Sequence, residues 1–278
     1  MFVHDIIVFE KVLPDIEVMG LHLFLRVFDG PRDQAVLNGF PFFHSQTVHD
    51  GGDPLGTENA EEIVFEGLVP EGRFEDAHDV LGTFELVDDP QLRSRVPSGP
   101  EDLLDLLRSH HALMLGRRPA VNPGSFKLRP NRAGVTTFVH PELVEGTLIE
   151  GYRYYESLPA GLAKAIFMMY LIAEVHPFTD GNGRVGRVLM NAELTAAGEQ
   201  RVVIPIVYRD NYLQGLRALS RNGDPQPLIR VLDFAQEYAA AIDWSDLKRA
   251  ERMLGETNAF LTPEVAEERG ARLRLPSS

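Results

Sequence analysis

The stretch His176-Pro177-Phe178-Thr179-Asp180-Gly181-Asn182-Gly183-Arg184-Val185-Gly186-Arg187 constrains this chain more than any other, because it reads as an interruption between two helices. Residues Ala160 to Val175 form a nearly continuous apolar helix, and Pro177 disfavours the α region for the residue before it. The incoming helix should therefore stop at His176 and present the imidazole at its C-terminal end. The outgoing helix should begin around Gly183, with Val185, Val188, Leu189, Ala192 and Ala196 as its buried stripe and Gly198 at its left-handed C-terminal position.

The chain around this turn also reads as helical. Ser98 with Glu101 three residues later suggests a capping box. It would open a helix from about 100 to 115, with Leu103, Leu106, Leu107, His110, Leu113 and Met114 on one face. Further helices are expected at Leu143–Tyr155, Asp210–Leu219, Pro227–Ile242 and Asp246–Leu254, and one more is opened by Thr262-Pro263. Asn122-Pro123-Gly124 is a turn, and the β-branched run Val135 to Val139, stopped by His140-Pro141, reads as a short strand or hairpin arm. The breaker-rich stretch Pro90 to Pro100 should be a surface connection. Before it, Phe74 to Leu86 reads as a helix and Thr57 to Gly67 as a shorter one, while residues 1 to 52 fit short strands or irregular helices equally well.

Composition narrows the function classes. In 278 residues, 41 acidic against 27 basic side chains give a formal charge of -14, which argues against partners bound through a polyanionic backbone, so nucleic acid is not expected. The absence of cysteine removes disulfides, thiol nucleophiles and Cys-ligated zinc and allows a cytoplasmic setting. The longest apolar stretch, around Ala165 to Ala173, falls far short of the ~20 residues of a membrane span, and the N-terminus lacks the order of a signal peptide.

The turn itself has the parts of a nucleotide site. A helix N-terminus offers unpaired amides and a partial positive charge, and the Gly181-Asn182-Gly183 turn lets a phosphate approach the backbone. Arg184 and Arg187, three apart on a helix, can both reach a polyphosphate. Asp180 is a hard oxygen ligand of the kind Mg²⁺ takes, and His176 is a base that works near neutral pH.

The stretch matches every fixed position of His-x-Phe-x-(Asp/Glu)-Gly-Asn-(Gly/Lys)-Arg-x-x-Arg and so resembles the Fic/Doc family. At roughly one in twenty per constrained position, a chance match is on the order of 10⁻¹⁰ per window. The order of the 100–115 helix, the PGSFK turn, the VTTFVHP segment, the apolar helix and the later YRDNYLQGL run is also similar to a Fic core, over roughly residues 98 to 244. The resemblance implies a mainly α fold with a Fic-type helical core and a short β-hairpin flap. It divides the chain into an N-terminal region at 1–97, a core at 98–244 and a helical tail at 245–278.

The implied activity is transfer of AMP from ATP, with Mg²⁺, to a Ser, Thr or Tyr hydroxyl of a target protein. His176 would deprotonate that hydroxyl, Phe178 would anchor the loop and Asp180 would hold Mg²⁺. Gly181, Asn182 and Gly183 would cradle the phosphates, Arg184 and Arg187 would contact the β- and γ-phosphates, and Asn211 and Tyr212 would line the adenine side. Val135, Thr136, Thr137 and Phe138 would form the flap that pairs with the target. Relatives with Lys at the place of Gly183 phosphorylate instead, which favours adenylylation here.

Many relatives also carry an inhibitory helix, (Ser/Thr)-x-x-x-Glu-(Gly/Asn), whose Glu pairs with the motif's second Arg. Thr57 to Glu61 supplies its first five positions but has Glu62 in the sixth, so Glu61 is the candidate partner of Arg187. Self-inhibition, a separate inhibitory partner, or neither remains open.

Plainer readings stand beside these. The motif could be a bare glycine turn with His176 at a helix end, and Val135 to Phe138 could be an ordinary edge strand. His110 and His111, about 100° apart on a helix, lack the spacing of a metal pair and read as one packed and one exposed residue. Other Fic-type transfers (UMP, GMP, phosphate or phosphocholine), AMP removal, and a non-catalytic nucleotide-dependent interaction module are the alternatives. A cytoplasmic location is expected, with delivery to another cell left open.

Overall fold

The computed structural model describes residues 62–276, and these fall into two compact units, 62–201 and 202–276. The first contains a single π-helical turn at Glu62–Glu66, helices α1 (Phe74–Asp88) and α2 (Pro100–Leu115), strands β1 (Arg132–Ala133) and β2 (Thr136–Thr137), and helices α3 (Val144–Ser157), α4 (Leu162–Val175) and α5 (Asn182–Ala196). The second contains α6 (Arg209–Asn222), α7 (Gln226–Ala241), α8 (Leu247–Glu256) and α9 (Pro263–Arg269). The expected helices that fall wholly within these residues are present to within a few residues at each end, and of the shorter one expected at Thr57–Gly67 the described part is the π-helical turn at Glu62–Glu66. Residues 1–61, including the N-terminal runs, the Thr57–Glu61 segment and Glu61 itself, lie outside the described residues.

In the first unit, α4 is the centre. Every residue from Ala165 to Ile172 is buried, as a helix apolar on all sides must be. It packs on α5 along one side and α3 on another, while α2 packs on α1 and α3. Close approach is built into the contacts: a Cβ on Gly82 of α1 would stand 2.5 Å from the Leu113 carbonyl oxygen of α2. The motif helix α5 is tied further to α3 by the Tyr155 hydroxyl, which donates to the buried Glu193 carboxylate at 2.7 Å.

Several details differ from the sequence reading. The N-cap of α2 is Gly99, with no side-chain cap. Glu101 is not the capping partner. Instead the backbone amide and hydroxyl of Ser98 both donate to Asp102, at 2.7 and 2.8 Å. With Arg95 hydrogen-bonded to it, the Asp102 carboxyl is held down to about 2. His110 and His111 are both buried, because α2 is covered on several sides by α1, α3 and α5. Of the expected stripe positions, Leu113 is half-buried and Ala196 exposed. The run Val135 to Val139 is extended only briefly: Thr136 and Thr137 pair antiparallel with Ala133 and Arg132.

In the second unit, α6 and α7 form a helical pair. The tail closes on α7 through Tyr238, Ile242, Trp244, Ala250 and Ala259. Asp246 and Thr262 cap α8 and α9, the latter with Pro263 at the first helical position as expected. No helix among the described residues is long and apolar enough to cross a membrane.

Candidate active site

Helix α4 ends at Val175, and His176 takes the left-handed conformation (φ 50°, ψ 59°), its amide still donating to the Ile172 carbonyl at 2.9 Å. The ring then turns onto the hairpin, where Phe138 stacks on it at 3.7 Å with planes 7° apart. Its Nδ1 lies 3.4 Å from the Ala173 carbonyl oxygen.

The four peptide carbonyls from Val175 to Phe178 all face the short segment that leads into the hairpin. Lys127 Nζ donates to the Val175 carbonyl at 3.2 Å and to Asn131 Oδ1 at 2.7 Å, while the Lys127 amide donates to the Pro177 carbonyl at 2.8 Å. Asn131 Nδ2 donates to the Phe178 carbonyl at 2.9 Å and lies 3.5 Å from that of His176. Lys127 is only 3% exposed, and burial pushes its ammonium down to about 8.

Phe178 points inward and is fully buried, stacked on His111 at 3.9 Å with Phe126 beside it. His111 is a link sequence reasoning missed. Its Nδ1 accepts from the Gly124 amide at 2.9 Å, so its Nε2 carries the proton and donates to the Asp180 carbonyl at 3.2 Å. Burial holds it neutral, with its pKa pushed down to about 4.

Asn182 spends its side chain on the loop as well: its Oδ1 accepts from the Phe178 amide at 2.8 Å and its Nδ2 donates to the Phe178 carbonyl at 2.9 Å. What remains for an anion is backbone. Val185 is the first residue of α5 to donate into the helix, to Gly181, and the amides of Asn182, Gly183 and Arg184 make no hydrogen bond among the described residues. Gly181 is required for this turn, since φ is +78° and a Cβ there would stand 2.7 Å from Leu115.

The charged half of the loop is organised by residues far away in sequence. Asp180 Oδ1 accepts from the Gly181 amide at 2.7 Å, and Oδ2 lies 3.5 Å from Arg118 and 3.6 Å from Arg184. Arg184 is 9% exposed and donates to Asp79 of α1 at 2.7 Å. Arg118 lies 3.1 Å from that same carboxylate oxygen and donates to Asp76 at 3.0 Å. Arg187 is half-buried and lies across the start of the helix, where a Cβ on Gly183 would meet its Nη1 at 3.2 Å.

Of the residues singled out in the sequence, His176 to Arg187 and the hairpin residues Val135 to Phe138 belong to the first unit. Asn211, exposed, and Tyr212, buried, lie on α6 in the second. Asp79, Arg118 and Asn131 carry no periodic or motif signal of their own, while Lys127 closes the PGSFK turn and His111 stands in the helical histidine pair with nothing in the sequence to show what either bonds. Only the absence of an obvious partner for buried loop groups could have pointed to them.

Comparison with known proteins agrees with this geometry. The profile of the Fic/DOC family matches residues 100–194. The chain is 26% identical over 231 residues to the protein adenylyltransferase fic-1 of Caenorhabditis elegans, covering 80% of this chain and 44% of that protein. It is 33% identical over 117 residues to the protein adenylyltransferase Fic of Drosophila persimilis, covering 41% and 23%. The chain thus spans less than half the length of these relatives. Among solved structures, residues 134–508 of C. elegans Fic-1 superpose with a TM-score of 0.58 at 20% identity, covering 83% of this chain and 70% of that one. A Fic domain containing signaling protein from Bacteroides thetaiotaomicron superposes with a TM-score of 0.51 at 21% identity, covering 67% and 81%. With a histidine-led loop on open helix amides, a short hairpin over the imidazole and the profile match around both, residues 100–194 are a Fic/DOC family domain, and the chain is a Fic-domain protein.

Proposed function

We propose that this protein transfers AMP from ATP to a Ser, Thr or Tyr hydroxyl of a target protein. The observation that carries the reading is one loop that holds an imidazole at the hairpin and, six residues on, opens a helix whose first amides are unspent. The adenylyltransferase names of the relatives support the same chemistry.

The target oxygen attacks the α-phosphorus, its proton passes to His176, the bond to the bridging oxygen breaks and pyrophosphate leaves. The Ala173 carbonyl can only accept, so its contact favours the proton on Nδ1 and leaves Nε2 as the base. The amides of Asn182, Gly183 and Arg184 and the positive end of α5 face the phosphates. Arg184, fixed by Asp79, and Arg187 add guanidinium charge for the β- and γ-phosphates. Gly181 keeps the turn open, and Asn182 keeps its shape.

Asp180 suits Mg²⁺, which is commonly held by one or two carboxylates and completes its shell with phosphate oxygens and water. Its carboxylate is partly exposed and already oriented by the Gly181 amide. Bound there, Mg²⁺ would neutralise charge on the polyphosphate as pyrophosphate departs.

Incubation with α-labelled ATP, Mg²⁺ and candidate targets should label protein, while γ-labelled ATP should not. His176→Ala should lower α-label transfer by about 10³-fold. Transfer of the γ-label, or label that survives the substitution, refutes the reading.

A further inference from the structure

The hairpin and its lead-in are electrically unlike the rest of the chain. Against a formal charge of -14, residues 106–141 contain no Asp or Glu and six basic residues: Arg108, Arg117, Arg118, Lys127, Arg129 and Arg132. Three are occupied elsewhere: Arg108 with Glu145, Arg118 with the α1 carboxylates, and Lys127 buried against the loop carbonyls. Arg117, Arg129 and Arg132 are exposed and form no ion pair among the described residues, and the last two belong to the hairpin and its lead-in. Arg132 sits directly opposite the exposed Thr137 in the two-residue ladder and so shares its face, its guanidinium donating to the Gly134 carbonyl at 3.0 Å. The carboxylates that follow, Glu142 and Glu145, come only after the hairpin has closed, and Glu145 is taken by Arg108.

Residues 128–137 also carry the two most exposed large apolar side chains among the described residues, Leu128 at 81% and Val135 at 85%. Hydrophobic side chains this open, with unpaired arginines between them, are unusual on a chain this acidic and mark a contact surface. Phe138, at the end of the hairpin, rests on the His176 ring, so whatever lies along residues 128–137 is delivered to the base.

We propose that this surface selects targets by charge, taking an extended segment that bears Asp or Glu side chains and an apolar residue close to the hydroxyl to be modified. The inference rests on the AMP-transfer reading for what happens next, but not for the binding itself. Carboxylates on the segment meet Arg129 and Arg132, and its apolar residue covers Val135 or Leu128. The net negative charge of the chain disfavours non-specific approach of an acidic partner, which favours encounter at this basic hairpin.

The test uses two fluorescent peptides with the same central Thr and apolar neighbours, one flanked by Asp and Glu and the other by Lys. Binding is read by anisotropy and label transfer from α-labelled ATP, with the full chain and with Arg129→Glu/Arg132→Glu. The wild type should favour the acidic peptide by about tenfold at low salt, less at high salt, and the double variant should invert the order at an unchanged melting temperature. Equal binding of both peptides, or a preference that survives the double variant, overturns the proposal. So does a wild-type dimer that the double variant dissociates, since the surface would then serve a second copy. Charge-selective binding with no label transfer would leave this surface standing and sink the AMP-transfer reading. Transfer without charge preference would do the reverse.

Discussion

The two halves of the motif loop are held by different forces. From Val175 to Phe178 the backbone is gripped by Lys127 and Asn131, braced by Asn182 and closed by aromatic stacking, and no carboxylate takes part. From Asp180 to Arg184 the side chains are fixed by ion pairs that reach Asp79 and, through Arg118, Asp76. The half that positions the proton acceptor is thus indifferent to salt, whereas the half that would face phosphate is a balance of charges that a polyanion must enter.

Phe178→Ala should break the first half most severely. Removing a fully buried ring that stacks on His111 costs about 3–5 kcal/mol, read as a lowered urea midpoint. Asp79→Ala should act on the second half, leaving the nearly buried Arg184 with only the partly exposed Asp180 at 3.6 Å, at a cost of about 3 kcal/mol. Hydrogen exchange separates the two: the first variant should speed the amides of His176 and Phe178, and the second should leave them unchanged. If both accelerate the same amides, the halves are one unit.

Acid sharpens the contrast. His110 and His111 are pushed down to about 4 by burial from an ordinary 6.5, so the unfolded chain binds more protons between those values. Stability should therefore fall as pH drops from 6.5 toward 4, and His110→Gln/His111→Gln should flatten urea midpoints across that range. The smallest effect is at the alkaline end. Lys127 titrates near 8 rather than 10.5, which again leaves more protons on the unfolded chain, and stability should rise with pH across that interval. Lys127→Met should remove that rise while costing about 1–2 kcal/mol for the lost hydrogen bonds.

What the sequence made legible were features whose cause is local. Pro177 stopped α4 where expected, and the apolar runs of α2, α4 and α5 announced themselves by their spacing. Ser98 bonds to Asp102 rather than Glu101, and Arg95, upstream of the helix, holds the same Asp102 carboxylate. Adjacent helical residues point apart, which predicts one packed and one exposed residue for His110 and His111, but α2 has neighbours on several sides and both are buried. The ion pair between Asp79 and Arg184 spans 105 positions and leaves no trace in any window. Nor does Lys127 announce itself, since a lysine at a turn is ordinarily solvated.

The grip of residues 127–131 on the four carbonyls after α4 makes the hairpin and the histidine one mechanical part. An engineer who transplanted the twelve-residue motif alone into another helical scaffold would receive a loop without its scaffold bolts. The portable cassette is two pieces of chain, 126–138 and 175–187, moved together.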